Sequence, residues 1–240
     1  KESLGWYKND ISDFILKYAQ ERGIHASLDE VGSPETNQDQ NFYEKINRYS
    51  CVIFFARLGD QNRFEKKGFS TKRVMSYVRD CESLASIFGT LDYKLNILVK
   101  NAIDRLIESS NIIKLTCPLG TNLIGEITKD NSETTEVSVL RFPILVPKPI
   151  DAKPFSGKVV LNNYLTSTGS RFYKPNFIKI NSEVTIHIEN GRIADIQGRY
   201  DDVNNFHNHY AYVSQKFDID MRAVHSWHPG IHPGAEDNKF

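Results

Sequence analysis

The residues best suited to chemistry lie in one short stretch near the C-terminus, Ala223 to Gly234. It holds three histidines within eight positions, His225, His228 and His232, together with Trp227. Neutral imidazole is the commonest protein ligand for ions such as iron and zinc, and a metal site needs two to four such donors. The histidines therefore meet the number that a metal site requires, although their spacing is not a standard one.

Prolines within this stretch exclude a regular helix. Pro229 and Pro233 remove amide donors and clash with a preceding helical turn, so we expect an irregular loop. A loop can bring side chains that share no period to a single point, as a ligand set requires. The alternative is that Trp227 and the prolines pack a turn while the histidines sit at its rim.

Other candidates for chemistry are weaker. His207 and His209 lie in an Asn-rich context, where a solvated loop is favoured over a strand that presents both rings on one side. His187 points away from a predicted apolar face, which favours a surface position. Surface roles are also favoured over acid, base or ligand roles for three carboxylates, Glu126, Glu183 and Glu189.

Composition narrows the classes of function. Thirty Lys plus Arg balance thirty Asp plus Glu, so no long-range field gathers nucleic acid onto the surface. No apolar run approaches the roughly 20 residues that span a bilayer. Three widely spaced cysteines match neither a disulfide framework nor a CxxC metal site, so we expect reduced thiols and a soluble protein of the cytoplasm. Phosphate-binding and nucleophile-elbow motifs are absent.

The first part of the chain alternates helical and extended patterns. A continuous apolar run, Cys51 to Ala56, is typical of a central parallel strand covered on both faces, and Ile24 to Leu28 favours a short strand. Ser70 can cap a helix that carries Val74, Tyr77 and Val78. Apolar spacing predicts further helices over Ile11 to Ala19, Phe42 to Tyr49 and Leu91 to Ile107. This alternation predicts a layered α/β domain over residues 1–110.

After Ser110 the pattern becomes β-rich, which predicts a second domain over residues 111–240. Its clearest feature is Val184 to Ile196, where Asn190-Gly191 separates two alternating runs and accepts the positive φ angles of a tight hairpin turn. Four more short extended segments are predicted, at Ile112 to Thr116, Val137 to Val146, Gly157 to Leu161 and Phe177 to Ile180.

Two stretches together resemble a known family. The first reads Asn111-Ile-Ile-Lys-Leu-Thr-Cys-Pro-Leu-Gly-Thr-Asn-Leu123, and the second reads Ala223-Val-His-Ser-Trp-His-Pro-Gly-Ile-His-Pro-Gly-Ala235. They are similar to the strand-and-turn and the metal-site segment of the family that contains 2,5-dihydroxypyridine dioxygenases and thermophilic-type metallo-aminopeptidases. The likeness extends over most of residues 45–240.

The resemblance implies an α/β fold with a Rossmann-like front domain and a β-rich metal domain, in which His225 matches a metal ligand. The metal would be divalent, iron(II) or alternatively zinc. Two departures matter. A Gly-Glu-Val element should follow Arg141-Phe-Pro143, and Ile144-Leu-Val-Pro-Lys-Pro149 stands there instead. The family's His-x-Asp ligands would lie beyond Phe240, so we expect either further residues or an incomplete metal site.

These observations leave three hypotheses open. The first is a metal-dependent enzyme that resembles iron(II) ring-opening dioxygenases, with His225 as metal ligand and His228 and His232 as further ligands or acid–base and orienting groups. The second is a non-catalytic relative that binds a peptide or partner, for example in natural-product assembly. The third is a metallo-aminopeptidase acting on short peptides, which the missing carboxylate disfavours.

The family's large sheet surfaces also favour a homodimer. Three aromatic residues could line the substrate site of the enzyme, Tyr210, Tyr212 and Trp227.

Overall fold

A computed structural model describes residues 1–2, 5–32, 40–61, 63, 70–127, 138–167 and 173–235. Within these residues, the first half contains six helices and two strands in this order: α1 Asn9–Glu21, α2 Gln40–Ile46, β1 Cys51–Phe54, α3 Leu58–Gln61, β2 Lys72–Ser76, α4 Cys81–Ala85, α5 Ile87–Thr90 and α6 Tyr93–Ser109. The second half follows with β3 Ile112–Thr116, β4 Asn122–Glu126, β5 Leu140–Phe142, β6 Ile150–Asp151, β7 Phe155–Thr166, β8 Phe177–Glu189, β9 Arg192–Gln197, α7 Tyr200–Phe217 and β10 Ser226–Trp227.

A parallel three-stranded sheet carries the strand ends that later form the candidate site. Its order is β1-β2-β5, and β2 pairs in parallel with both neighbours. The prediction that Cys51 begins a central strand covered on both faces is therefore wrong for the described strands. Strand β1 lies at the edge of this sheet, and the exposure of Cys51 and Ile53 shows that one of its faces is open.

The central strand β2 contradicts the helix predicted after Ser70. Val74 pairs with Ile53 on one side and with Leu140 on the other, so its segment is extended and hydrogen-bonded to two strands. The spacing of Val74, Tyr77 and Val78 matches one turn of a helix by coincidence. A β-branched residue between two parallel partners fits a strand better, and pairing across the chain overrides the local pattern.

The predicted helices elsewhere in the first half are confirmed, with small shifts of their ends. Helix α1 stops before Gly23, whose φ of +72° is the left-handed conformation that ends helices. Helix α6 begins after Asp92, because its carboxylate accepts a hydrogen bond from the Leu95 amide over 2.9 Å. The short strand predicted over Ile24 to Leu28 does not form, since this largely exposed segment pairs with no strand of the described residues.

An antiparallel five-stranded sheet, in the order β3-β4-β7-β8-β9, dominates the second half. The predicted hairpin joins β8 to β9, and Asn190 and Gly191 take φ angles of 49° and 70°. The buried face of β8 contains Val184, Ile186 and Ile188, which belong to the main hydrophobic core. His187 lies on the other face, where its neighbours across the strands are Lys158 and Asp195.

Helix α7 replaces the solvated loop that was predicted around His207 and His209. Phe206 is 1% exposed, and Val203 and Tyr210 pack beside it against the sheet core at helical spacing. The Asn-rich composition of this segment favoured a loop, but the apolar positions every third or fourth residue determine the structure.

The fold class is confirmed as α/β with helices, a parallel sheet and an antiparallel sheet. The division into two domains at residue 110 remains a prediction, and strand β5 of the parallel sheet comes from beyond that position in the sequence. Within the described residues, no helix has the length and apolar character needed to cross a bilayer.

Candidate functional site

The histidine-rich segment lies as an extended ribbon along residues 144–152. Strand β10 pairs antiparallel with β6, placing Trp227 opposite Ile150. Backbone hydrogen bonds continue on both sides of this pair, from the Ala152 amide to the His225 carbonyl over 3.1 Å and from the Ile231 amide to the Leu145 carbonyl over 2.9 Å. The prediction that prolines exclude a regular helix here is confirmed.

The three predicted histidines differ in their surroundings. His225 is exposed, and its ring forms no hydrogen bond with another described residue. His228 is also exposed, and its Nε2 lies 3.0 Å from the Ser226 hydroxyl oxygen. His232 is 6% exposed. Among the described residues, no group of three or more His, Cys, Asp or Glu side chains could hold a metal ion. The role of His225 as a metal ligand stays a prediction.

The hydrogen bonding of His232 disfavours it as a metal ligand. Its Nδ1 accepts a hydrogen bond from the Gly234 amide over 3.1 Å, so Nε2 carries the proton of the neutral ring. This Nε2 is buried and has no hydrogen-bond partner among the described residues. The ring packs edge-on against Phe88, and burial lowers the pKa of His232 below its ordinary value. His232 is therefore a neutral, buried donor that packs beside helix α5.

A polar cluster forms where strands β2 and β5 end. Tyr77 follows β2 directly, and its amide donates to the Phe142 carbonyl at the end of β5 over 2.7 Å. The Tyr77 hydroxyl donates to Asp60 Oδ1 over 3.1 Å. Arg63 Nη1 donates to the Asp60 carbonyl over 3.4 Å and lies 4.0 Å from Asp60 Oδ1. Ligand sites in α/β proteins are commonly located at the carboxyl ends of parallel strands.

Two arginines connect this cluster to the histidine segment. Partial desolvation lowers the pKa of His228, and the positive charges of Arg141 and Arg63 lower it further. Burial raises the pKa of Tyr77, and the Asp60 carboxylate raises it further. The positive charges of the same two arginines oppose that increase in the pKa of Tyr77, so both charges act on Tyr77 and on His228. We call Asp60, Arg63, Tyr77, Arg141 and His228 the strand-end site.

The charges of the strand-end site favour an anionic ligand. Its side chains comprise two guanidinium groups and one carboxylate. The Arg141 guanidinium forms no hydrogen bond or ion pair with another described residue. Guanidinium groups bind carboxylates through two parallel hydrogen bonds. The lowered pKa of His228 keeps its imidazole neutral near pH 7, so the ring can accept a proton or hydrogen bond.

Four residues of the strand-end site were not identified from the sequence. Asp60 and Arg63 follow the predicted strand Cys51 to Ala56, so the rule that ligands bind at carboxyl ends of parallel strands could have indicated them. Tyr77 was assigned to a helix, and Arg141 comes from a segment with no evident partner in the sequence. Of the histidines proposed from the sequence, only His228 is also a member of the strand-end site.

The weaker candidates from the sequence do not join this site. Glu126, Glu183 and Glu189 are exposed on strands β4 and β8. His209 is buried on α7 and contacts the Tyr173 ring. His207 lines a pocket of about 230 Å³ between α7 and β9. This volume is below the roughly 300 Å³ at which pockets begin to hold drug-sized molecules.

Comparisons with known proteins show the fold and not the family. No family model matches the chain, and no curated protein matches it. Among solved structures the chain is similar to 2,5-dihydroxypyridine dioxygenase from Pseudomonas putida KT2440, with a TM-score of 0.54 and 11% identity over 83% of this chain. The matched region covers 62% of that protein. At this identity the likeness supports a shared fold with a dioxygenase, while the resemblance to aminopeptidases stays a prediction.

Proposed function

We propose that this chain binds a small, negatively charged ring compound at the strand-end site. The observation that carries the proposal is that Tyr77, Asp60 and Arg63 form a hydrogen-bonded cluster where strands β2 and β5 end, with Arg141 on β5 paired opposite Met75 of β2. A cationic site with two ring side chains suits a planar anion, because guanidinium groups pair with a carboxylate and can also stack on aromatic rings. The similarity to a dioxygenase named for a hydroxylated pyridine supports a ligand of similar size with a single hydroxylated ring.

Each residue of the site has a distinct role in this proposal. Arg141 would hold the carboxylate of the ligand, with Arg63 adding positive charge. Tyr77 stays protonated, since burial and Asp60 raise its pKa, and its hydroxyl proton is committed to Asp60. Its oxygen can therefore accept a hydrogen bond from a ring hydroxyl. Neutral His228 would accept a second hydroxyl proton or hydrogen bond.

A ring-opening dioxygenase is the second candidate function. It is favoured by the shared fold and by the exposed His225 ring, whose nitrogens have no hydrogen-bond partner among the described residues. The described residues do not fit a complete iron site, because His232 carries its proton on Nε2 and no group of three ligands assembles. Iron would supply oxygen activation in such an enzyme, and further ligands would have to come from outside the described residues.

Calorimetric titration of metal-chelated protein tests the binding function. The probes are 2,5-dihydroxybenzoate, which carries a carboxylate, and 2,5-dihydroxypyridine, which does not. We expect tighter binding of the benzoate and a loss of at least about tenfold in Arg141→Met, since a charge-assisted hydrogen bond contributes about 1.5–3 kcal/mol. Arg48→Met is the matched control, because Arg48 is exposed and unpaired among the described residues. Equal binding by wild type and Arg141→Met would overturn the proposal.

Oxygen consumption separates the two candidates. Wild type and His225→Ala would be reconstituted with iron(II) and given 2,5-dihydroxypyridine. Consumption that requires His225 would establish the dioxygenase function. Absence of consumption, with benzoate binding retained by both proteins, would leave the binding function alone.

A further inference from the structure

A pocket apart from the strand-end site lies between α7 and β9, with a volume of about 230 Å³. Its walls are largely apolar and include Ile193, Ile196, Phe206, Tyr210 and Met221. The first three belong to the main hydrophobic core, and the Tyr210 ring stacks on Phe206 with 4.2 Å between the ring centroids. The pocket is therefore formed by packed parts of the fold, and its walls favour a ligand with an apolar body.

The segment after α7 closes one side of this pocket along the outer edge of β9. The Ile193 amide donates to the Arg222 carbonyl over 2.8 Å, and the Val224 amide donates to the Gly191 carbonyl over 2.9 Å. These hydrogen bonds place Arg222 opposite Ile193, and opposite residues of antiparallel segments point to the same face. The Arg222 side chain therefore lies on the side of the sheet that α7 covers, where it lines the pocket.

Two basic side chains from different elements lie at the mouth of the pocket. His207 belongs to α7 and Arg222 to the segment beside β9, and both are exposed. The Arg222 guanidinium forms no hydrogen bond or ion pair with another described residue. The nearby Asp220 carboxylate accepts hydrogen bonds from the Arg192 side chain and the Arg222 amide, so Arg192 balances its charge. The mouth therefore offers a planar cationic donor and an imidazole.

Asp195 also lines the pocket, but its carboxylate lies on the other face of β9. Asp195 is opposite His187 across the strands, and His187 points away from the buried face. Gln197 Nε2 donates to Asp195 Oδ2 over 2.7 Å. Alternate residues of a strand share a face, so both of these side chains lie on the exposed face of the sheet. The basic groups at the mouth therefore determine the charge preference, which favours an anion.

We propose that this pocket binds a small monocarboxylate with an apolar tail, of the size of hexanoate. One water-sized group takes about 30 Å³ of liquid volume, so 230 Å³ holds about eight non-hydrogen atoms, the number in hexanoate. The tail would pack against Ile196, Phe206 and Met221. The carboxylate would pair with the Arg222 guanidinium, and the His207 ring would donate a second hydrogen bond.

Calorimetric titration with sodium hexanoate tests the charge preference. We expect saturable binding by wild type and at least about tenfold weaker binding by Arg222→Met, which removes the guanidinium but keeps an apolar stem. Arg48→Met is the matched control and should bind like wild type, because Arg48 is exposed and unpaired among the described residues. Hexylamine, with the same tail and the opposite charge, should bind at least about tenfold more weakly than hexanoate. Circular dichroism would confirm that both variants fold.

Backbone amide shifts in nuclear magnetic resonance spectra locate the bound hexanoate. The largest changes should occur at Ile193, Ile196 and His207, whereas the Tyr77 and Arg141 amides of the strand-end site should stay unchanged. Largest changes at the strand-end site, equal binding by wild type and Arg222→Met, or tighter binding of hexylamine would each overturn the proposal. Absence of saturable hexanoate binding would also overturn it. This inference is independent of the strand-end site, so its failure leaves the proposed function unaffected.

Discussion

Removing the Tyr77 hydroxyl should destabilise the protein at the point where the candidate site is built. That hydroxyl donates to Asp60 Oδ1 over 3.1 Å, and the Asp60 side chain is only 11% exposed. Hydrogen bonds to charged groups contribute about 1.5–3 kcal/mol, and a buried acceptor that loses its donor keeps its desolvation cost. Arg63 lies 4.0 Å from the same oxygen and can replace part of the interaction. We expect Tyr77→Phe to lower the free energy of unfolding by about 1–2 kcal/mol.

Urea unfolding followed by tryptophan fluorescence measures this change. Tyr200→Phe is the matched control, because Tyr200 is 80% exposed and its hydroxyl forms no hydrogen bond with another described residue. Its free energy of unfolding should stay within about 0.5 kcal/mol of wild type. If Tyr77→Phe behaves like this control, the Tyr77 hydroxyl does not hold the Asp60 carboxylate in solution. The role given to Tyr77 in ligand binding would then fail as well.

Three further predictions concern stability. Burial lowers the pKa of His232 below 6.5, so the unfolded chain binds more protons than the folded protein in mild acid. The free energy of unfolding should therefore fall as pH drops below about 6.5, and His232→Phe should reduce that fall in urea titrations. An unchanged dependence of stability on pH in His232→Phe would contradict this prediction. Gly191→Ala should lower the free energy of unfolding in urea by at least about 1–2 kcal/mol, because φ is +70° and the new Cβ would lie 2.7 Å from the Ala152 carbonyl oxygen. An unchanged free energy of unfolding would show that the turn relaxes freely. Gly125→Ala should lower the free energy of unfolding by about 1–3 kcal/mol, and with it the melting temperature, since its Cβ would lie 2.6 Å from the fully buried Phe155 ring. An unchanged melting temperature would contradict this packing of Gly125 against Phe155.

The parts of the fold that the sequence predicts correctly are those with local causes. The hairpin at Asn190-Gly191 depends on two adjacent residues that accept positive φ angles. Helix α7 shows the opposite case, because its Asn-rich composition favoured a loop while burial of Phe206 against the sheet determined a helix. Strand β2 likewise depends on partners at residues 51–54 and 140–142, which no local pattern around Val74 reveals.

Helix α6 shows a different limit of prediction from sequence. Apolar spacing correctly predicted a helix, but it does not determine which face lies against the protein. Asn96 and Asp104 hydrogen-bond the backbone of Ile144 and Lys148, which lie 48 and 44 residues later in the chain. Those hydrogen bonds fix the orientation of the helix and leave Leu98 and Leu106 exposed. Their exposure could be recognised only from the structure.

The candidate site was only partly predictable for the same reason. The histidine segment was identified because three imidazoles lie close together in sequence, and His228 does belong to the strand-end site. Asp60, Tyr77 and Arg141 come from three separate segments that the parallel sheet brings to one edge. His225 and His232 are close in sequence but differ in burial: His225 is exposed, whereas His232 is buried and its Nδ1 accepts a hydrogen bond from the Gly234 amide.

A crystal structure with 5-bromo-2-hydroxybenzoate tests the central claim most directly, because anomalous scattering from bromine locates the ligand without ambiguity. We predict that the carboxylate pairs with the Arg141 guanidinium, with the ring between Tyr77 and His228 at the ends of strands β2 and β5. Bromine density elsewhere in the molecule, with Arg141 facing solvent at saturating ligand, would contradict the proposed binding site.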